Sequence, residues 1–400
     1  MPLRSTPARP RPRGSRMNRL RATCVAALCM TALCQAPTST ATAAPQPRDA
    51  DLLQQMEQLV QSPGGPPGAI AVLRRDGRAR VVRAGVADLA TGRPPGIRDH
   101  MRIASTAKAF SGAVALSLVD RHVLRLDETI GERLPGLPAA WHRVTLRQLL
   151  NHTSGLPDYT ESDEFRSILT ADPHHRFDSR KLLDFVADRP LEFPPGSQYH
   201  YSNSDNIAVA LMAEAATGTT YEHLLRTLVY RPLGLRSTSL PQGYRMPEPY
   251  LHGYDTTTSP PQDVSEALGA SGSWASGGII STPSDMTRFI RGYAGGALYG
   301  KNVVREQRRW IAGASQPAGP GANTAGLALF RYATRCGVVL GHTGNFPGYT
   351  QLIAATPDGR RSLTFSVTSQ INESLNPELL SRLRAVEENF VCALLGRSGH

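Results

Sequence analysis

Ser105-Thr106-Ala107-Lys108 places a hydroxyl and an amine three residues apart at the start of a long apolar run. On a helix that spacing sets both side chains on one face, where the amine can act on the hydroxyl proton. Lysine is rare in this chain: it stands only at 108, 181 and 301, so 41 of the 44 basic residues are arginine. Arginine stays protonated at working pH, whereas a desolvated lysine becomes a base. The chemistry indicated is attack by an activated serine. S-x-x-K is a loose pattern, however, and its context has to carry the reading. Farther along, Tyr201-Ser202-Asn203 follows Pro194-Pro195-Gly196, a loop suited to presenting a phenol and an amide to a cleft. Near the end His342-Thr343-Gly344 follows a strand-like run, with a glycine that lets a substrate approach the backbone closely.

The elements that must position these groups can be read from periodicity. Leu52, Met56, Leu59 and Val60 repeat at helical spacing. Residues 68–73 and 80–86 are β-rich and meet around Asp76-Gly77, which predicts a tight hairpin. Residues 109–119 are apolar on nearly all sides, as in a helix running through the interior. The stretch 120–285 alternates helical segments at 146–150, 180–186 and 207–216 with Pro-, Gly-, Ser- and Asp-rich loops. Thr282-Pro283-Ser284-Asp285 reads as a helix start, capped by Thr282 with Asp285 reaching back. Residues 337–340, 351–356 and 362–368 are strand-like, the last two joined through Pro357-Asp358-Gly359. Asn376-Pro377 opens a final helix striped by Leu379, Leu380, Leu383, Val386, Phe390 and Leu394. The fold expected is α+β: one antiparallel sheet flanked by N- and C-terminal helices, with an inserted, mostly helical domain. Residues 44–110 and 286–400 would form the sheet domain and 111–285 the helical one, with the active site at their junction.

Composition narrows the setting. Arginines 4, 9, 11, 13, 16, 19 and 21 precede an apolar run over 22–33 and small residues over 38–44, an order that reads as a secretory signal peptide. Ala41-Thr42-Ala43 fits a cleavage site, so residues 1–43 would be removed and the protein secreted; translation starts at Met1 or Met17. The apolar run is too short to span a membrane. Losing seven arginines and no acid brings the formal charge from +11 to +4, so the high pI is mostly the leader's and does not indicate nucleic-acid binding. Two cysteines, Cys336 and Cys392, remain after cleavage. In an oxidising compartment such a pair is bridged, tying a strand to the terminal helix, or else buried as two separate thiols.

Together S-x-x-K, Y-x-N and H-T-G in this order resemble the serine β-lactamase and penicillin-binding protein superfamily, in its class C β-lactamase-like group. Within it the chain looks most like the secreted streptomycete-type D-alanyl-D-alanine carboxypeptidases. The resemblance runs from about Ala69 through the terminal helix. It includes Gly85-Val86-Ala87-Asp88, Ala90-Thr91-Gly92-Arg93, Leu149-Leu150-Asn151-His152-Thr153-Ser154-Gly155-Leu156, Ser276-Gly277-Gly278-Ile279-Ile280-Ser281-Thr282 and the cysteine pair. It implies that Ser105 is the nucleophile, that Lys108 and Tyr201 share proton transfer, and that Asn203 orients Lys108 and holds the substrate's amide. Lys108 would draw the Tyr201 phenol down toward the range of a base. His342, Thr343 and Gly344 would line the opposite wall near a substrate carboxylate, and backbone N–H groups of Ser105 and Asn345 would form the oxyanion hole. Relatives often place a carboxylate-binding arginine on the strand before the third motif. Here Phe330 stands near that place with Arg331 beside it, and one residue along a strand turns a side chain to the other face. The substrate implied is a peptidoglycan stem peptide or related acyl-D-amino acid, with β-lactams as inhibitors, no cofactor, no metal and a monomeric enzyme. Alternatives are an esterase, D-aminopeptidase, amidase or β-lactamase on the same machinery, or a non-catalytic cell-wall binder.

Other residues carry quieter readings. His152 is a loop and packing element in this pattern, and His174-His175 lack companions at metal spacing. Trp274 lines the cleft or packs, and Asp158-Tyr159 after Pro157 form rim or turn. No phosphate loop, dinucleotide fingerprint or aromatic-interleaved basic patch is present.

Overall fold

The computed structural model describes residues 47–396; the leader lies outside the described residues. A helix, α1 (Pro47–Val60), leads into the hairpin β1 (Gly68–Arg75) and β2 (Arg78–Gly85). The turn sits where Asp76-Gly77 predicts it, with φ of 51° and 77°, the left-handed pair a two-residue hairpin requires. Five helices follow in the order α2 (Ala107–Asp120), α3 (Asp163–Ala171), α4 (Asn203–Thr217), α5 (Pro283–Ala294) and, at the end, α6 (Pro377–Leu395), with shorter helical turns between them. Between α5 and α6 come six strands: β3 (Ile311–Ala312), β4 (Ala322–Ala325), β5 (Phe330–Thr334), β6 (Gly337–Phe346), β7 (Tyr349–Ala355) and β8 (Ser362–Val367).

These eight strands form one antiparallel sheet in the order β2-β1-β8-β7-β6-β5-β4-β3, and four further two-residue strands pair off in two small sheets. The first hairpin docks on the last strand in the register Ala69↔Val367. Leu52, Met56 and Leu59 of α1 and the predicted stripe of α6 share a core with Ala71, Leu352 and Phe365 on one face of the sheet. On the other face α5 packs under the helical region, where Phe289 stacks on Phe110 of α2 at 3.6 Å between ring centroids. Helix α2 is buried from Ala107 through Leu118, as its unbroken apolar character predicts.

Differences from the periodic reading are local. Strand β6 runs to Phe346, so His342-Thr343-Gly344 lies inside a strand rather than after one. Its polar and glycine residues interrupt the apolar run, while residues Val339 through Gly344 are buried. Strands β3 and β4 have too few apolar residues to announce themselves. At the start of α5, Thr282 accepts from the Asp285 backbone N–H as expected, but the Asp285 carboxylate accepts from Ser237 N and Thr238 Oγ1 instead of reaching back. Asn376 caps α6 by accepting from Leu379 N at 2.9 Å. Cys336, in the β5–β6 turn, is bonded to Cys392 on α6. Among the described residues no helix is long and apolar enough to cross a membrane.

Candidate active site

The turn that presents Ser105 is held in an unusual shape. Ala104 has φ of 50°, a left-handed value that costs a non-glycine residue about 1 kcal/mol or more. It begins the short 3-10 turn Ala104–Thr106 that runs directly into α2. Strand β6 lies against this turn: a Cβ at Gly344 would stand 2.5 Å from Ile103 O and 3.2 Å from Thr106 N. The glycine of His342-Thr343-Gly344 therefore admits the serine's own turn, where the sequence suggested a substrate backbone.

One turn into α2, Lys108 is completely buried. Its Nζ donates to Ser105 Oγ at 3.2 Å, Asn203 Oδ1 at 2.7 Å and Ser276 O at 2.9 Å, so each ammonium hydrogen has an acceptor. Burial lowers its pKa to about 7, against the opposing pull of the Asp158 and Asp205 carboxylates. Near neutral pH a good fraction of the amine is therefore free to take a proton. Asn203, the first residue of α4, is itself fixed from behind. Its Nδ2 donates to Asp158 Oδ2 at 2.8 Å, and its backbone N–H donates to the same oxygen at 2.9 Å. Asp158, read from sequence as rim or turn, thus orients the amide that orients the lysine. The Tyr159 hydroxyl donates to Gly272 O and meets Ser276 Oγ, bracing the segment whose carbonyl holds Lys108.

Tyr201 comes in from the loop before α4, its ring 4.9 Å from Lys108 Nζ and 4.5 Å from the His152 ring. Burial raises the phenol's pKa well above its ordinary value, outweighing the opposing effect of the nearby Ser105 hydroxyl. The expected depression by Lys108 does not occur: burial dominates, and the Ser105 hydroxyl supplies the opposing effect. The phenol oxygen has no hydrogen-bond partner of ordinary geometry among the described residues. His152 lies beneath it as packing, its Nδ1 2.7 Å from Asp205 Oδ2. Burial holds the imidazole neutral, with a pKa of about 3, and raises that of the Asp205 carboxyl.

The cleft above Ser105 has a volume of about 780 Å³ and is walled by Tyr159, Tyr201, Asn203, Ser276, Asn345 and Phe346, among others. Both the sheet strands and the helical segments contribute. Five of the expected wall residues, His342, Thr343, Gly344, Trp274 and Arg331, lie outside the lining. His342 is fully buried, its Nδ1 engaged with Thr343 O and burial lowering its pKa to about 3, so it presents no charge to a carboxylate. Trp274 is buried outside the cleft, donating Nε1–H to Glu222 and packing on Tyr221. Arg331 and Phe330 likewise lie outside the lining; Phe330 is in the core against the His342 ring. Thr343 Oγ1 is 2.6 Å from Pro317 O and so ties the cleft loop 315–318 to β6. Asn345 lines the cleft, its side chain donating to Ile371 O and Thr350 Oγ1 and accepting from Gln370 and Asn372. Phe165 and Arg384 are lining residues that sequence reasoning did not single out, and no local pattern in the sequence marks either of them.

Comparison with known proteins agrees with this geometry. The family model described as Beta-lactamase matches residues 53–387. Penicillin-binding protein 4* of Bacillus subtilis is 26% identical over 296 residues, 70% of this chain and 63% of that protein. A D-aminopeptidase of Cereibacter sphaeroides is 30% identical over 51% of this chain and 38% of its own. The chain thus spans less than two thirds of these relatives' length. The crystal structure of a D-stereospecific amidohydrolase from Streptomyces sp. superposes with a TM-score of 0.72 at 27% identity, covering 85% of this chain and 98% of that one.

Proposed function

The chain belongs to the β-lactamase family of serine hydrolases, and from that premise we propose that it is a secreted D-alanyl-D-alanine carboxypeptidase acting on peptidoglycan stem peptides. The observation that carries the catalytic part is the buried Lys108 amine, brought near neutrality and 3.2 Å from Ser105 Oγ. In this reading the neutral amine takes the Ser105 proton as Oγ attacks the carbonyl carbon of the penultimate D-alanine. The oxyanion is held by the backbone N–H groups of Ser105 and Asn345, each contributing about 3 kcal/mol. The C–N bond then breaks, and the leaving amine of D-alanine takes a proton from Tyr201, which Lys108 replenishes. Water attacks the ester, passes its proton back along the same groups to Ser105 Oγ, and frees the shortened peptide. Tyr201 serves as a carrier that stays protonated between steps, consistent with its raised pKa. The secretion part rests on the basic, apolar and small-residue order of residues 1–43.

A second reading, hydrolysis of D-amino-acid amides or of N-terminal D-residues, is favoured by the D-aminopeptidase and amidohydrolase relatives and by the Glu373 carboxylate in the cleft wall, a counter-charge for a free amine. Release of D-alanine from a diacyl-D-Ala-D-Ala peptide, set beside release of ammonia from D-phenylalaninamide, separates the two. Fluorescent penicillin is expected to label the wild type and not Ser105→Ala. Equal labelling of both would remove the mechanism.

A further inference from the structure

Away from the catalytic cleft the described residues form a second groove of about 580 Å³, walled by Glu222, Arg226, Tyr230, Arg231 and Arg236 among others and sharing no lining residue with the cleft. Its three arginines are exposed, and none has a hydrogen-bond or ion-pair partner among the described residues. The one acid among the described residues of its lining is already engaged: Glu222 Oε1 accepts from Trp274 Nε1 at 2.9 Å and Oε2 from Arg180 Nη2 at 3.1 Å. Asp285, which is not in the lining, accepts from Ser237 N and Thr238 Oγ1 and pairs with Arg288. The groove therefore gathers positive charge that the protein leaves uncompensated.

The backbone builds this arrangement. Residues Leu225–Tyr230 form a π-helical turn, after which the Arg231 backbone N–H donates to Arg226 O. On an α-helix, side chains five residues apart diverge by about 140° around the axis, whereas a turn closed between residues five apart brings them to one side. Arg226 and Arg231 therefore share a wall. Gly234, at a φ of 65°, then leads the chain out of the helix, with Leu235 N donating to Tyr230 O at 2.9 Å. Arg236 follows on a segment pinned to Asp285 by Ser237 and Thr238 and to Ile280 by Ser239. Tyr230, in the same lining, is 8% exposed, and its hydroxyl has no hydrogen-bond partner among the described residues. Three guanidinium groups outnumber the oxygens of a carboxylate and match the oxygens and near-double charge of a phosphate monoester. We propose that this groove is a binding site for a phosphate ester, its phosphate held by Arg226, Arg231 and Arg236. The site is separate from the hydrolase reading of Ser105 and does not depend on it.

Glycerol 3-phosphate is the probe, titrated calorimetrically into the protein at low salt and a pH of about 7.5, where a phosphate monoester is largely a dianion. Saturable binding is expected, about tenfold or more tighter than that of acetate. Arg231→Gln should weaken it about tenfold, the weight of one charge-assisted contact, and the triple variant Arg226→Gln, Arg231→Gln, Arg236→Gln should abolish it. Arg78→Gln, which removes an exposed arginine of β2 outside the groove, should leave the affinity within about twofold. All four positions are exposed, so melting temperatures should hold, which separates loss of the site from loss of the fold. Bis(glycerol) phosphate, the corresponding diester, distinguishes the sources: tighter binding of the monoester points to a small phosphorylated compound, and tighter binding of the diester to a phosphodiester-linked polymer. No binding of either ester, acetate bound as tightly, or an equal loss in Arg78→Gln would each overturn the proposal.

Discussion

The two groups proposed to handle protons beside Ser105 are held in opposite ways. Lys108 is fixed by hydrogen bonds: three acceptors, with Asn203 and Asp158 standing behind one another. Tyr201 is fixed by packing against the His152 ring and under the lysine, with its oxygen unpaired. The first arrangement sets protonation as well as place, because the carboxylates behind it counter part of the desolvation. The second sets place alone, and burial then keeps the phenol protonated. The lysine is poised to accept a proton and the tyrosine to donate one, a division that composition and spacing alone would not reveal.

The largest test of that contrast is Lys108→Arg, which keeps the positive charge and removes the base. Acylation by penicillin should drop about a thousandfold or more. In the wild type the acylation rate should rise with pH through about 7, since the reactive amine is the deprotonated one. His152 and His342 are already neutral there, so His342→Gln should leave that midpoint in place. A limb that moves with residue 342 would mean that the lysine does not set the profile.

Next in size, Asn203→Ala and Tyr201→Phe should part company. Removing Asn203 takes an acceptor from Lys108 and a partner from Asp158, lowering both turnover and melting temperature, the stability loss being about 1 to 3 kcal/mol. Tyr201→Phe deletes an oxygen that sits beside the Ser105 hydroxyl but makes no hydrogen bond of ordinary geometry among the described residues, so turnover should fall about a hundredfold with the melting temperature nearly unchanged. If both variants lose stability alike, the distinction between bonded and packed groups fails.

The smallest effect lies away from the serine. Glu387 has a folded-state pKa of about 8 against an ordinary 4.5. Between those values the folded state binds more protons than the unfolded one, so stability declines as pH rises through that window. Glu387→Gln has no such proton to lose. Its advantage over the wild type in urea should be slight at pH 4.5 and grow to a few kcal/mol by about pH 8. A gap independent of pH would show the carboxyl to be ionised in both states.

Much of this was legible beforehand, for identifiable reasons. The β-rich runs on either side of Asp76-Gly77 gave the first hairpin, because that pair suits a tight turn, and the stripe from Leu379 to Leu394 gave α6, because burial on one face leaves a period. Ser105, Lys108, Tyr201 and Asn203 converge, as the resemblance implied for the first two motifs. What could not be read was depth. His342 and Trp274 have the side chains of a cleft wall and lie beneath it. Arg384 went unremarked and Asp158 read as rim or turn, because their partners are backbone carbonyls and an amide brought in from elsewhere in the chain.

The pairing of Ala69 with Val367 bears on how the protein is made. Strand β1 has no inner neighbour until β8 has left the ribosome, so the sheet cannot close on a growing chain. A nascent polypeptide already holding Ser105, Lys108 and Tyr201 still lacks Asn345 and the strand that supports the serine's turn. A chain ending before β6 would therefore lack both the closed sheet and the strand beneath the serine's turn.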